Sequence, residues 1–320
     1  MRDILGGKDP QVQAVVAVIA HAAPDILLLL DVDHDHDLVA LRALRDAVEQ
    51  AGVLYPHVYA RASNRGMTTG LDLDGDGRQG GAGDTQGYAE FAGQGGMAIL
   101  SRHPVGIDRV QDHSALLWRD LPDALLTLPD GQPLLTAQAL AVQRLSTTGH
   151  WTVPITVRGR DIHLLAFHAT PPVFDGPEDR NGRRNHDETR FWSLYLDGRF
   201  APPPTERFVL IGDGNMDPAG SEGLPDAMRA ILGDPRLQDP KPTSVGGLRA
   251  NATGPGDPAL HTASWPPPGP SGLRVDLVLP SADLKVLSAS VLWPEPGAPL
   301  ADTVQTASRH RLVSVTLDWP

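Results

Sequence analysis

Three short apolar runs in this chain each end on a polar residue, and they constrain the fold more than any other feature. Ile26–Leu30 runs into Asp31, Leu164–Phe167 into His168, and Phe208–Ile211 into Gly212 and Asp213. Unbroken apolar runs this short read as strands buried on both faces. Such strands need cover on each side, and helical segments lie between them, which points to an α/β class. A polar side chain at the end of such a strand is held at the rim of a rigid sheet, a suitable place for catalysis or ligand binding. Asp, Asn and Gly also fall there as ordinary turn residues, so any one of these endings carries little weight alone.

The remaining elements follow from periodicity. Val12, Val15, Val16, Val18 and Ile19 recur at helical spacing and predict a helix over Asp9–Ala22, closed by Pro24. A second helix is expected over Asp37–Ala51, stopped at Gly52. Met97–Leu100 is a short strand, and residues 151–157 and 161–167 alternate as a hairpin turning at Arg158-Gly159-Arg160. A polar loop over 171–186 precedes a helix at about 187–197. Residues 274–280, 284–292 and 312–317 read as strands, while 67–96 and 238–271 are loop-rich. The hairpin signals call for a mixed sheet. There is no internal repeat and no convincing linker, so residues 1–320 are read as one domain.

The net charge of −12 bears on partners. Broad binding of duplex DNA relies on neutralising phosphates with basic groups, so extended duplex DNA is disfavoured and a small phosphorylated substrate or lipid headgroup fits better. With no cysteine, thiolate catalysis and cysteine-ligated zinc are excluded. Ile26–Leu30 is far too short to span a bilayer, and Met1–Leu5 has no apolar signal-peptide core. The chain is therefore expected to be soluble and without an export signal, its compartment open, since a trimmed N-terminus would hide an exported origin.

Six segments occur in a telling order: Pro24–Asp31, Gly96–Arg102, Leu164–His168, Ile211-Gly212-Asp213-Gly214-Asn215, Arg274–Leu279 and Ser308-Arg309-His310-Arg311-Leu312-Val313. Together they resemble the endonuclease/exonuclease/phosphatase superfamily, over about residues 9–320. The resemblance implies a four-layer α/β sandwich, two mixed β-sheets face to face with helices on both outer faces. It also implies divalent-metal-dependent hydrolysis of a phosphate monoester or diester. In that reading Asp213 orients and deprotonates the attacking water, and Asn215 holds that carboxylate or the phosphate. His168 and His310 donate to the phosphate, and Asp276 fixes the tautomer of His310. Mg²⁺ or Mn²⁺ is implied at Asp31, and Asp33 or Asp35 are the candidates to supply what Asp31 lacks.

Three departures accompany the resemblance. Asp31 stands where the family has a longer glutamate, Arg309 replaces a carboxylate before the late histidine, and the family's first strand has no counterpart ahead of the first predicted helix. They keep two rival readings open: a nuclease on short or single-stranded substrates, and a binding protein that keeps the fold with a degraded metal site.

Other polar clusters admit two readings each. Asp31–Asp37 packs four carboxylates and two histidines into seven residues, either around a cation or as a solvated turn capping a helix. Asp72, Asp74 and Asp76 open like a calcium loop, although Gly83 falls where its last ligand belongs; such a Ca²⁺ would be structural. Arg180, Arg183 and Arg184 are candidates for a phosphate clamp or for ion pairs with nearby acids. Trp118, Trp151 and Trp192 read as core anchors.

Overall fold

The computed structural model describes residues 2–220, 222–250 and 253–319. In chain order it contains α1 (Arg2–Gly6), α2 (Pro10–Ala22), β1 (Ile26–Val32), α3 (Val39–Gln50), β2 (His57–Ala60), β3 (Gly96–Ser101) and β4 (Gln111–Asp112). There follow α4 (Ala137–Val142), β5 (His150–Val157), β6 (Arg160–His168), α5 (Arg180–Leu196), β7 (Phe208–Asp213), α6 (Asp226–Leu232) and α7 (Val245–Arg249). The last elements are β8 (Asp276–Pro280), β9 (Lys285–Val291), α8 (Ala301–Ala307) and β10 (Val313–Asp318).

Local chemistry accounts for the element ends. Asp9 caps α2 by accepting the Val12 N–H at 3.0 Å, and Pro10 sits in the first turn, where its missing N–H costs nothing. Asp35 caps α3, accepting the N–H groups of Val39 and Ala40 at 2.7 and 2.9 Å. Part of the acidic segment after β1 therefore serves the helix.

Four layers result. A five-stranded sheet, β4-β5-β6-β7-β8, contains the parallel pair β6–β7 among antiparallel neighbours. Its one face packs Trp151, Val153, Ile155, Leu164 and Val209 against Tyr59, Met97 and Ile99 of the opposing strands. Its other face packs Leu165, Phe167, Leu210 and Leu277 against Phe191, Trp192 and Tyr195 of α5 and Met228 and Ile231 of α6. Behind the opposing strands, Ile19 of α2 and Leu41 and Val48 of α3 close the outer layer. Trp118, Trp151 and Trp192 are all buried.

The opposing layer is in two pieces among the described residues. It consists of an antiparallel three-stranded piece, β1-β3-β2, and a separate antiparallel pair, β9-β10, with α8 in the connection between its strands. A cleft of about 850 Å³, lined by residues of β1, β10, α2 and the start of β8, lies between the pieces. This corrects the expectation for Ile26–Leu30. With one edge unpaired beside the cleft, these residues are half-buried, not fully enclosed.

The helix expected from 187 starts at Arg180. Its first turns bury Arg184, Asn185, Asp187 and Glu188, so the buried face carries no apolar period there. No helix among the described residues is long and apolar enough to cross a membrane.

His150, at the start of β5, lies fully buried against Phe167, Phe191 and Trp192. Burial pushes its imidazole from the ordinary 6.5 down to about 3. The folded value is the lower one, so between those limits the unfolded chain binds a proton that the folded chain refuses. Stability is therefore lost as pH falls through 6.5 toward 3. At pH 5 the loss from this ring is about 2 kcal/mol. Urea unfolding at pH 7.5 and 5.0 should show the parent losing that much more than His150→Gln; equal losses would remove His150 as the cause.

Candidate active site

The site is assembled by strand register. In the parallel pair β6–β7, His168 stands opposite Asp213, and in the antiparallel pair β7–β8, Asp213 stands opposite Asp276. Two of the polar endings, His168 and Asp213, thus form one row with Asp276, the first residue of β8. Ala263 bridges His310, which brings the late histidine to the same rim.

Asp213 is the centre of the row, with 3% of its surface exposed. Its Oδ2 lies 3.6 Å from His168 Nε2 and 3.8 Å from His310 Nδ1, and its Oδ1 accepts the Asn215 N–H at 2.7 Å. His310 Nδ1 also lies 3.0 Å from Asp276, and its ring meets Trp265 edge-on. Thr262 Oγ1 accepts the N–H groups of Val275 and Asp276, fixing the backbone under that carboxylate. The side chain of Asn215 points elsewhere than expected: its Nδ2 donates to the Ala169 carbonyl at 2.9 Å, joining the ends of β6 and β7.

Burial and mutual charge set the protonation of this group. Burial, then the charge of Asp276, pushes Asp213 up to about 8, against the pull of His310 and the Asn215 N–H. Burial alone would lower His310, but the Asp276 and Asp213 carboxylates outweigh it and lift it to about 10. His168 is lowered by burial, with Asp31 opposing and Arg65 reinforcing the shift. At neutral pH the row therefore holds a cationic His310 beside a neutral His168.

Asp31 sits in a bulge of the β1–β3 ladder with a left-handed backbone (φ 56). Its carboxylate pairs with Arg65 Nη1 at 2.5 Å. Asp33 instead accepts the Gly95 N–H at 3.2 Å. Among the described residues, Asp31 belongs to no group of three His, Asp or Glu side chains whose ligand atoms converge. One carboxylate already neutralised by a guanidinium is a poor donor set for Mg²⁺ or Mn²⁺, which need several oxygen ligands. The expected metal pair of Asp31 and Asp33 therefore does not fit. The groups that do converge, and could hold a metal ion, are Asp213 with Asp276 and His310, and Asp72 with Asp74 and Asp84. In the second group Asp84, not Asp76, is the third member. Asp72 and Asp76 spend oxygens on nearby backbone N–H groups, as does Asp74.

The arginines are tied to the scaffold. Arg184 donates to the carbonyls of Leu145 and Arg144, and Arg183 to those of Glu178 and Thr127. Arg180 reaches Gln143 Oε1 at 2.9 Å and the Leu73 carbonyl at 3.3 Å. Arg180 and Arg184 line a cavity of about 810 Å³ that also touches Arg65, His168, Tyr88 and Phe174; Arg183 does not.

Asn185 and Glu188 do more than residue order suggests, where Asn185 falls at the end of a polar loop and Glu188 is one of the acids near the arginine cluster. Asn185 Nδ2 donates to the carbonyls of Thr170 and Gly214, each at 2.7 Å, and so fixes the segments after His168 and Asp213 relative to each other. Glu188 accepts the N–H groups of Thr147 and Thr170 at 2.6 and 2.7 Å.

Known proteins can be set beside this geometry. The profile of the endonuclease/exonuclease/phosphatase family matches residues 4–310. The chain belongs to that family. Members of the endonuclease/exonuclease/phosphatase family are hydrolases acting on phosphoesters. Its fold recurs in an endonuclease/exonuclease/phosphatase family protein from Leptotrichia buccalis, at 14% identity and TM-score 0.54, covering 97% of this chain and 93% of that one. Sphingomyelinase C from Streptomyces griseocarneus is similar at 16% identity and TM-score 0.51, over 89% of this chain and 80% of that one. A beta toxin variant from Staphylococcus aureus with bound magnesium ions is similar at 13% identity and TM-score 0.51, over 99% and 91%. No curated protein matches the chain.

Asn185→Ala removes both ties and leaves two carbonyls short of a donor. It should cost about 1–3 kcal/mol of stability. Thermal unfolding gives the test: an unchanged midpoint would show that other contacts hold the two segments.

Proposed function

We propose that this family member hydrolyses a phosphate monoester or diester, with Asp213 receiving the proton of the attacking water. The observation that carries the reading is the near-complete burial of Asp213 between His168 and His310, at 3.6 and 3.8 Å. Raised to about 8, Asp213 takes the proton of water in its ionised form, a fraction that grows as pH rises through 8, and the two imidazoles beside it can receive a phosphate. His310, kept cationic by Asp276 and Asp213, supplies positive charge toward the phosphoryl oxygens as it develops negative charge. His168 is neutral and donates a hydrogen bond without adding charge. Asn215 acts indirectly, its backbone N–H orienting Asp213 and its side chain closing the β6–β7 end. No step is assigned to an ion at Asp31.

A small phosphorylated molecule or lipid headgroup suits the site better than duplex DNA. The chain carries −12, and the cavity of about 810 Å³ beside His168 is of the size that encloses small ligands. A binding protein without turnover is the second reading, favoured by the engagement of Asp31 with Arg65 where the family's metal ligand was expected.

Hydrolysis of bis(p-nitrophenyl) phosphate and p-nitrophenyl phosphate separates the two. Asp213→Asn should lower kcat by about 10²–10⁴-fold, the usual worth of a positioned base. His310→Gln should fall in the same range. Turnover unaffected by Asp213→Asn would discard the mechanism, and a folded parent with no turnover of either ester under any metal would favour the binding role.

A further inference from the structure

We propose that Arg65 is a second resident cation of the catalytic centre besides His310, a guanidinium held by Asp31 and presented to the substrate phosphate beside His168. The inference deepens the phosphoesterase reading and assigns to an arginine the charge that the family's metal ligand position would otherwise serve.

Three separate features build this arrangement. Asp31 is displaced from the β1–β3 ladder by a bulge and adopts φ 56, a conformation that costs energy for a residue with a side chain. The displacement turns its carboxylate to Arg65 at 2.5 Å. Gly95 then provides the room. A Cβ there would stand 2.5 Å from Arg65 Nη1 and 2.9 Å from Asp31 Oδ1, so any larger residue would dislodge the pair.

The remaining donors of Arg65 are free for a ligand. Its bonds to Asp31 and to the Gly95 carbonyl both use Nη1. Among the described residues no protein acceptor takes Nη2 or Nε. A guanidinium fastened at one nitrogen keeps a planar edge of donors that matches two oxygens of a phosphate. Arg65 and His168 line the same cavity, and Asp31 faces the neighbouring cleft together with Asp276 and His310. The pair therefore stands between two openings, one lined by His168 and the other by Asp276 and His310. The influence of both charges on His168 agrees with that placement.

Inorganic phosphate is the probe, titrated by calorimetry into the EDTA-treated full chain, with Mn²⁺ binding followed in parallel by electron paramagnetic resonance. The parent should bind phosphate without metal. Arg65→Met should weaken binding at least tenfold, and Arg65→Lys, which keeps the charge but loses the planar fork, should fall between. Asp213→Asn should still bind phosphate whatever its turnover, so failure of the hydrolytic reading and failure of this proposal give different results. Circular dichroism of each variant confirms folding. Parent protein that binds phosphate only with Mn²⁺ would overturn the proposal. So would phosphate binding unchanged in Arg65→Met, or a Mn²⁺ site in the parent that Asp31→Asn abolishes.

Discussion

The pairing of β6 with β7 is the interaction on which the rest of the site depends. Because the two strands run parallel and in register, the chain leaves both at the same rim, and His168 and Asp213 emerge side by side. Antiparallel pairing of β7 with β8 then places the first residue of β8, Asp276, opposite the last of β7. A slip of one residue would turn each of these side chains to the other face of the sheet. Gly212 helps hold the register, since a Cβ there would sit 2.0 Å from the Phe167 carbonyl oxygen. The strands come closer at this point than any other residue would allow.

Register alone does not fix the loops beyond the strands, and α5 does that work with buried polar groups. Asn185 and Glu188 together engage Thr147, Thr170 and Gly214, while Arg184 engages carbonyls at 144 and 145. Desolvating a carboxylate and a guanidinium is costly unless each finds several partners. Burial raises Glu188 above the usual carboxylate range, with Arg184 and the Thr147 and Thr170 N–H groups acting against that shift. Such a network favours one loop arrangement, because any other leaves buried charge without partners.

What could be read from residue order follows the same division. The layered α/β fold and the row of polar endings were legible because strand burial writes itself into short apolar runs, as at Leu164–Phe167 and Phe208–Ile211. The start of α5 was not, because its buried side is polar and Arg180–Asn185 therefore looks like loop. Ile26–Leu30 was read as enclosed, since an apolar run cannot reveal that its strand has a free edge. Arg65 was invisible for another reason: it lies in a glycine-rich loop, and its partner Asp31 is 34 positions away in sequence. Only the bulge in β1 brings them together. The arginines 180, 183 and 184 show the converse, a local cluster whose side chains disperse onto separate carbonyls once folded.

The divided sheet has a colloidal consequence. Among the described residues, β1 and β10 each keep an edge whose N–H and C=O groups have no strand partner, and the leucines of β1 are only half covered. Edges of this kind are templates for intermolecular pairing. The surplus of acidic groups opposes such encounters by long-range repulsion, which depends on ionic strength. The same negative charge that bears on substrate choice therefore also opposes edge-to-edge pairing between copies of this chain, and salt weakens that opposition.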